Sequence, residues 1–533
     1  MALDMTPEQK EIGKANFHRA VGELSQSGLT RRDFMKGLLA AGAAVPVSAA
    51  AYYGYDHLKV GKPVRTGLIG AGDEGGVLIG EHNPKYLEFI AYSDIRPSNQ
   101  ARIFKGEPTG MRKGFNFHYG KDAAQKIKRY ENYRELLENK DIEAVVIALP
   151  LHLHARVAIE AMKAGKHVLC EKLMAWNITQ CKEMIKAADD NDRILSIGHQ
   201  RHYSMLYAHA VEVLNSGMLG DIKHIRALWH RNNALPKLDD KGSPIKDEKG
   251  EVVLRDSWRS EIKPEDRKAL EGKIRQLGYK SMEELVRWRL YNRTGGGLMA
   301  ELGSHQLDAC SIFLGKVHPL AVSGVGGKWF YRDDREVDDH IFVTFEFPGK
   351  NYYADKEHKA IKDKDDIVVV TYSSISTNSF EQYGECVMGT RGTMVVEAEQ
   401  NVMLHSERGG RSTAVTVTTV GGQPALDTSG STGPGATAAA AAGQASIGSG
   451  PVSRGYREEM EHFAYCIRMW DQGKDKKDRP LPRCHGRVAM ADAIIALTAN
   501  QAMKRHQRIE FDSKWFDAAT SDVPDKDMKV ETV

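Results

Sequence analysis

Short apolar runs alternate with segments of helical pattern in the first part of the chain, which predicts repeated strand–helix units. Val64–Ile69 and Ala144–Leu149 are largely apolar, as expected of parallel strands that helices cover on both faces. Further strands are predicted at Phe89–Asp94, His167–Cys170 and Ile194–Ile197. We therefore predict a doubly wound parallel sheet, the α/β Rossmann architecture.

The pattern changes after residue 198. Leu320–Val325, Ile341–Phe347, Ile367–Tyr372 and Thr413–Val420 are predicted strands whose spacing suits an open, mostly antiparallel sheet. Together with helices late in the chain, this sheet predicts a second domain of the α+β class.

Two stretches interrupt this second domain. Residues 235–286 are highly charged with little periodicity, and we expect an insertion at the mouth of a site. Residues 427–451 are rich in Gly, Ala, Ser and Thr and carry few charges. Because such a composition cannot build a core, we expect a flexible loop there.

The first predicted strand ends in a glycine-rich turn, Gly70-Ala71-Gly72-Asp73-Glu74-Gly75, and a predicted helix follows it. In such a turn the first glycine permits the tight bend, the second lets backbone approach a pyrophosphate, and the third lets helix pack on strand. The helix N-terminus offers free N–H groups to the phosphates. Gly70, Gly72 and Gly75 therefore predict a dinucleotide site, and an ordinary glycine-rich loop is the alternative.

The next predicted strand ends in Asp94, at the position where a carboxylate holds ribose hydroxyls. This carboxylate would repel a 2′-phosphate and so favours NAD over NADP. Arg96 has the opposite effect, because an arginine there can accommodate that phosphate. NAD is the predicted cofactor, and NADP stays open as the alternative.

Ligands of a doubly wound sheet bind beyond the carboxyl ends of its strands. Several polar residues follow such strand ends in this chain. The residues expected along the cofactor crevice are Pro150, His152, His154, Glu171, Lys172, His199 and Gln200.

The N-terminal region has the pattern of an export signal. Arg31 and Arg32 precede an apolar, alanine-rich segment, and the small residues Ser48, Ala49 and Ala50 follow it. This order is typical of a twin-arginine (Tat) signal with a cleavage site, and the segment is too short for a stable membrane span. We expect export by the Tat machinery, to the periplasm. A plain N-terminal helix with two surface arginines is the alternative.

Composition narrows the classes of function. The 533 residues carry a net charge of +3, too balanced to favour nucleic acid or an anionic membrane as a partner. The six cysteines are scattered without a C-x-x-C pair, so we expect buried thiols rather than disulfides or a zinc site.

These patterns divide the chain into three parts. Residues 1–62 are predicted to be the export signal and a linker, and residues 63–198 the dinucleotide-binding Rossmann domain. Residues 199–533 are predicted to be an α+β domain for substrate binding and oligomerisation.

The motifs together resemble the Gfo/Idh/MocA family of sugar and polyol oxidoreductases. The similar features are the glycine-rich turn, Asp94, Leu149-Pro150 with His154, and Glu171-Lys172 before a helix. The segment from Trp288-Arg289 to Asp308 resembles the second family signature, and the similarity covers most of residues 63–515. Members usually carry proline where Leu173 stands and aspartate where Glu301 stands.

The resemblance implies an NAD-binding Rossmann domain and an open sheet that covers the crevice and often mediates oligomerisation. It implies a small carbohydrate as substrate, and it places Trp288 and Arg289 beside the cofactor. We therefore also expect a homo-oligomer.

The resemblance further implies that catalysis occurs where Lys172 meets the helix of Glu301 and His305. Glu301 and His305 are four positions apart, so they share a helix face, and Asp308 lies three positions further. His305 would accept a hydroxyl proton, Lys172 would stabilise the oxygen, and Glu301 would orient the imidazole or hold a sugar hydroxyl. Each residue alone is also compatible with a structural role. A metal on this helix face is a weaker alternative, and we predict none, because one helix rarely supplies a whole site.

Two functions remain open. The first is oxidation of a sugar or polyol hydroxyl by hydride transfer to nicotinamide. The second is an NAD-dependent glycoside hydrolase, as in relatives that oxidise a ring carbon transiently, eliminate the glycosidic bond and reduce the ring again. A cofactor-binding protein that has lost catalysis is a third hypothesis. Net accumulation of NADH separates the first from the second.

Overall fold

The computed structural model describes residues 61–108, 110–247, 250–407, 413–420, 423–427, 454–471 and 479–524. The predicted export signal and nearly all of the predicted loop 427–451 lie outside the described residues. A search of the described helices finds none long and apolar enough to cross a membrane.

The first sheet is parallel throughout. Its strands are β1 (Val64–Ile69), β2 (Leu87–Ser93), β3 (Lys128–Tyr130), β4 (Ala144–Ile147), β5 (His167–Glu171) and β6 (Leu195–Gly198). They lie in the order β3-β2-β1-β4-β5-β6, so the order reverses between β1 and β4. This switch point is where a doubly wound sheet binds its ligand, and the predicted Rossmann architecture is confirmed.

Helices connect these strands. They are α1 (Asp73–Glu81), α2 (Pro97–Lys105), α3 (Phe115–Tyr119), α4 (Lys121–Ala124), α5 (Tyr133–Glu138), α6 (His154–Lys163) and α7 (Ile178–Asp190). Local sequence sets several of their ends. The Asn132 side chain caps α5 by accepting from the Arg134 N–H, and Gly165 ends α6 with a φ of 78°.

The second sheet has ten strands. They are β7 (Ile222–His230), β8 (Ala321–Gly327), β9 (His340–Pro348), β10 (Ile367–Ile375), β11 (Tyr383–Gly389), β12 (Gly392–Glu397), β13 (Asn401–Ser406), β14 (Thr413–Val420), β15 (Gln423–Asp427) and β16 (Ile509–Glu510). Their order is β15-β14-β13-β12-β11-β7-β10-β9-β8-β16. β7 and β10 pair in parallel, and the other neighbouring strands described here are antiparallel, which confirms the predicted open sheet.

The second sheet contacts α8 (Met205–Asn215), α11 (Ser304–Phe313) and α13 (Gly486–Arg505). The helix α12 (Tyr456–Asp471) packs instead against the first sheet, and α9 (Pro264–Leu270) and α10 (Met282–Val286) belong to the charged stretch 235–286. A single apolar core joins residues of the first sheet, α11, α13 and the second sheet. All six cysteines are buried and free, as predicted.

The charged stretch 235–286 has more regular structure than its pattern predicts. It contains α9, α10 and a small apolar cluster formed by Leu270, Ile274 and Leu285 with others. Ile95, from the loop after β2, packs against this cluster. The stretch therefore packs against the rim of the Rossmann sheet.

Candidate active site

A cleft of about 1250 Å³ runs along the carboxyl edge of the first sheet. The glycine-rich turn and the loops after β2, β4 and β5 form one wall, and Trp229 and the start of α11 form the other. Residues 257–289 line its mouth, where the sequence predicts an insertion. The predicted site residues that line the cleft are Gly70, Gly72, Asp94, Arg96, Pro150, Glu171, Lys172, Trp288, Arg289, Glu301 and His305.

The three glycines of the turn have different surroundings. A Cβ atom at Gly70 would lie 2.2 Å from the Ala148 carbonyl oxygen, and one at Gly75 would lie 2.2 Å from that of Gly70. A Cβ atom at Gly72 would meet only Asn99, at 3.9 Å. Gly70 and Gly75 therefore permit close packing of strand and helix, whereas the Gly72 backbone faces the open cleft. This cradle at the N-terminus of α1 fits a dinucleotide pyrophosphate.

Asp94 is held in place by the turn itself. Its carboxylate accepts hydrogen bonds from the backbone N–H groups of Ala71 and Arg96, each at 2.7 Å, and from the Asn99 amide at 3.1 Å. Burial raises its pKa, which these hydrogen bonds partly offset. The carboxylate thus joins the ends of β1 and β2 at the ribose position of a bound dinucleotide.

Arg96 is engaged by the insertion. Its Nε donates to the Asp266 carboxylate at 2.9 Å, and the Ser98 N–H and hydroxyl donate to the same carboxylate at 2.9 Å and 2.6 Å. Asp266 is fully buried at the N-terminus of α2. An acidic side chain stabilises that helix end, and here it also neutralises Arg96.

Lys172, Glu301 and His305 come together on the opposite side of the cleft. The Lys172 Nζ donates to the backbone carbonyl of Glu301 at 2.8 Å, and Arg289 Nε donates to the Glu301 carboxylate at 2.7 Å. Arg201 donates to the His305 carbonyl at 2.7 Å, which fixes the helix turn that carries the imidazole. The Trp229 ring lies 5.6 Å from the His305 ring.

Burial and neighbouring charges set the ionisation of each side chain in this group. Burial and the nearby Lys172 and Arg201 cations hold the pKa of His305 well below its usual value, so the imidazole is neutral near pH 7 and free to accept a proton. Burial also lowers the pKa of Lys172. Although burial alone would raise it, Arg289 and Lys172 keep the pKa of Glu301 low, so that its carboxylate is ionised.

Comparisons with known proteins agree with this geometry. Residues 64–199 match the Gfo/Idh/MocA model described as an oxidoreductase family with an NAD-binding Rossmann fold. Residues 276–395 match the model of the Gfo/Idh/MocA C-terminal domain. The two matched regions correspond to the Rossmann sheet and to part of the domain that holds the second sheet.

Curated relatives match over parts of their length. An uncharacterized oxidoreductase of Streptococcus pneumoniae is 24% identical over 221 residues, which are 41% of this chain and 47% of that protein. Inositol 2-dehydrogenase of Salmonella paratyphi B is 31% identical over 115 residues, 21% of this chain and 34% of that protein. The match thus spans less than half of either relative.

Solved structures match over more of the chain. An inositol dehydrogenase homolog of Azotobacter vinelandii, complexed with NADH and myo-inositol, has a TM-score of 0.58 at 15% identity. The match covers 85% of this chain and 99% of that one. At this identity the likeness establishes the fold.

Several predicted site residues lie away from the cleft. His154 is buried, and its ring nitrogens contact the carbonyls of Leu149 and Leu173, each at 2.8 Å, so it ties together the loops after β4 and β5. Gln200 is buried in a 3₁₀ turn that leads away from the cleft. The cleft lining also excludes His152 and His199, whereas Gly75 packs helix against strand as its place in the turn predicts. These histidines and Gln200 follow the ends of strands, but their side chains do not line the cleft.

Asp308 is a further correction. A π-helical turn at Met299–Gly303 precedes α11 and shifts its register. Asp308 lies behind the cleft, where it contacts His202 and Lys316, each at 2.7 Å. Glu301, His305 and Asp308 therefore do not meet as a metal site. The described groups that could hold an ion lie around Asp492, and the Lys316 ammonium already supplies the positive charge between Asp308 and Asp492.

Other residues of the cleft are not among the site residues predicted from the sequence. Glu74, Trp229, Arg231, Arg454 and Tyr456 all line it. Glu74 stands inside the glycine-rich turn, which could have drawn attention to it. No local pattern marks Arg231 or Arg454, because the pairing of β7 with β10 and β11 brings distant segments to the cleft.

Proposed function

We propose that this protein is an NAD-dependent dehydrogenase that oxidises a hydroxyl group of a sugar or polyol. One observation carries the proposal: Lys172, Glu301 and His305 line the same cleft as Gly72 and Asp94. The inositol dehydrogenase homolog and inositol 2-dehydrogenase found among similar proteins support this substrate class.

NAD, when bound, would supply the hydride acceptor. The Gly72 backbone and the N-terminus of α1 would hold its pyrophosphate, and Asp94 its ribose hydroxyls. The neutral His305 imidazole would accept the proton of the substrate hydroxyl. The Lys172 ammonium would stabilise the negative charge that develops on that oxygen. Arg289 would keep Glu301 ionised and oriented toward the substrate.

NAD is the proposed cofactor rather than NADP. Asp94 occupies the ribose position, and Arg96 is engaged by Asp266 at 2.9 Å rather than free for a 2′-phosphate. A binding titration of both nucleotides tests this preference, which a higher affinity for NADP would overturn.

Gly72→Val tests the dinucleotide site. The new side chain would enter the open cleft without a clash, since a Cβ atom there meets only Asn99 at 3.9 Å. We expect loss of NAD binding in calorimetry with an unchanged melting temperature. Gly272→Val is the matched control, because its Cβ atom would meet nothing within 4 Å and the residue lies outside the cleft lining. Unchanged NAD affinity in a folded Gly72→Val variant would refute the assignment.

Redox-neutral glycoside cleavage is the second candidate, and the insertion favours it. Asp266 joins α9 to the loop beside the ribose position, an arrangement that would slow the exchange of bound NAD. Protein purified without added nucleotide should then contain NAD(H), which denaturation and chromatography would detect. Cleavage of an aryl glycoside without net NADH supports the hydrolase, whereas accumulation of NADH with a free sugar supports the dehydrogenase.

Export by the Tat route to the periplasm is also part of the proposal. The Tat machinery carries folded proteins, which suits an enzyme that must bind NAD before it leaves the cytoplasm. Replacing Arg31 and Arg32 together with lysine should retain the protein in the cytoplasm. A wild-type protein found in the cytoplasm after fractionation would refute export.

We further propose a homo-oligomer that forms through the second sheet. Val325, Trp329, Phe330 and Phe342 expose large apolar surface on or beside β8 and β9. Phe342→Asp should reduce the mass measured by light scattering after gel filtration. A wild-type monomer would contradict the proposal.

A further inference from the structure

An arginine on the second-sheet wall of the cleft has no counterion of its own. Arg231 directly follows β7, and its backbone N–H donates to the Ile375 carbonyl at 2.9 Å. Its guanidinium lies 5.3 Å from the centroid of the Trp229 ring. Within the described part of the chain, no side chain or carbonyl accepts a hydrogen bond from that guanidinium. A ring contact cannot satisfy its five N–H donors, which require oxygen acceptors.

The neighbouring carboxylate does not fill this role. Glu301 interacts electrostatically with Arg231, but its carboxylate already accepts a hydrogen bond from Arg289 at 2.7 Å. Burial, and then the positive charge of Arg289, lower the pKa of Arg231, although an arginine stays charged at neutral pH. Arg231 is partly buried and pairs with no carboxylate of its own, so its N–H groups are available to an anionic ligand.

A second guanidinium lines the same cleft. The described residues offer Arg454 no hydrogen-bond acceptor either, and Tyr383 lies within electrostatic range of both arginines. Tyr383 stacks on Trp229 with ring centroids 4.6 Å apart, and Trp229 in turn lies 5.6 Å from the His305 ring. Both arginines are thus associated with the aromatic pair next to the proposed proton acceptor.

The phosphates of the cofactor do not explain Arg231. They would lie at the glycine-rich turn of the Rossmann domain, where Arg102 and Arg112 contact Asp73. Arg231 belongs to the second sheet, beside Trp229 and His305. A charge on this wall faces the substrate rather than the pyrophosphate.

We propose that Arg231, assisted by Arg454, binds an oxyanion on the substrate, so that the substrate is a sugar carrying a carboxylate or a phosphate group. The planar guanidinium matches either group with two parallel hydrogen bonds. The reacting hydroxyl of the sugar would then lie near His305. This inference rests on the proposed dehydrogenase function.

The test compares neutral and anionic sugars on the NAD-loaded enzyme. Glucose, glucuronate and glucose 6-phosphate form one set, and galactose, galacturonate and galactose 6-phosphate form a second. Calorimetry gives the dissociation constants, and NADH formation gives kcat/KM. We expect the anionic member to have a dissociation constant roughly tenfold to a hundredfold lower than that of its neutral partner, and a kcat/KM higher by a similar factor. The uronates and the phosphates separate the two sources of the oxyanion. Higher salt should reduce the difference.

Substitutions then test which arginine causes the preference for anionic sugars. Arg231→Met should remove most of the anionic preference and leave the NAD dissociation constant unchanged. Arg231→Lys, which keeps the charge but loses the planar fork, should retain part of it. Arg454→Met should have a smaller effect in the same direction. Arg508→Met is the control, because Arg508 lies at the far edge of the second sheet, where it pairs with Glu346 and Glu510.

The outcomes separate the two proposals. If neutral sugars bind and reduce NAD as well as their anionic partners do, or if the preference survives Arg231→Met, the oxyanion site is wrong while the dehydrogenase stands. If the enzyme holds NAD but no sugar of either kind binds or yields NADH, the dehydrogenase proposal fails and the oxyanion site fails with it.

Discussion

Two buried clusters of lysine, acid and histidine lie close together at α11, one in the cleft and one behind it. In the cleft, Lys172 donates to the Glu301 carbonyl, and the His305 Nδ1 has no partner in the described part of the chain. Behind the cleft, Asp308 accepts hydrogen bonds from both His202 and Lys316 at 2.7 Å, and Lys316 also contacts Asp492 at 3.3 Å. The residue types are alike, but the rear cluster largely satisfies its own charges.

The pKa values of Lys316 and Lys172 are shifted in opposite directions. Although burial alone would lower it, Asp308 and Asp492 raise the pKa of Lys316, because the ammonium lies between two carboxylates. Burial lowers the pKa of Lys172, whose hydrogen bond is to a carbonyl and whose acidic neighbour Glu301 is shared with Arg289. A cluster that neutralises itself stabilises the fold, whereas one that leaves groups unsatisfied can bind and react with a ligand.

The largest expected effect concerns the rear cluster. Lys316→Met leaves Asp308 and Asp492 buried without their cation, and we expect the free energy of unfolding to fall by about 3–5 kcal/mol. Urea denaturation measures this loss. The fraction that remains folded should keep its turnover rate, and a fall in turnover comparable to that of a cleft variant would contradict the structural role.

Substitutions in the cleft cluster should reduce turnover rather than stability. Lys172→Met and His305→Ala should each reduce turnover by roughly a hundredfold or more, about 2.7 kcal/mol in the barrier, while NAD binding changes much less. Steady-state kinetics and NAD titration measure the two effects. Wild-type turnover in either variant would remove that residue from the mechanism.

A third substitution would remove the acidic partner of Arg96. Asp266→Ala frees Arg96, which could then contact a 2′-phosphate, and we expect affinity for NADP relative to NAD to rise roughly tenfold. Titration with both nucleotides measures the ratio. Glu271→Ala is the control, because this exposed residue pairs with Arg267 just after α9. An unchanged ratio in the Asp266 variant would show that Asp266 does not govern Arg96.

The features that could be predicted from the sequence are those that short segments of the chain determine. The turn at Gly70–Gly75 and the strand end at Asp94 follow from short motifs, and the open sheet follows from alternation in β9 and β10. The position of Asp308 could not be predicted, because its partner His202 comes from a segment distant in sequence. The partners of Arg96 and Arg231 depend on segments distant in sequence, so no local pattern assigns them.

The smallest expected effect concerns His199, which lies between the two clusters. Its ring centroid is 6.4 Å from that of His305, and its Nδ1 is 3.8 Å from the Asp308 carboxylate, too far for a hydrogen bond. Burial lowers the pKa of His199 to about 3, against an unfolded value of about 6.5. The unfolded chain therefore binds one more proton than the folded chain between these values, so this residue's contribution to stability is present above pH 6.5 and is lost as pH falls. At pH 5.5 the loss is about 1.4 kcal/mol.

In His199→Asn the free energy of unfolding should fall less steeply between pH 6.5 and pH 5. The reason is that the variant takes up about one proton fewer on unfolding than the wild type does. Urea denaturation at several pH values measures the slope, with His209→Asn as the control on the partly exposed side of α8. If His199 instead formed an ion pair with Asp308, its pKa would be raised and its contribution to stability would grow on acidification. A steeper acid slope in His199→Asn than in the wild type would therefore assign His199 to the self-neutralising rear cluster.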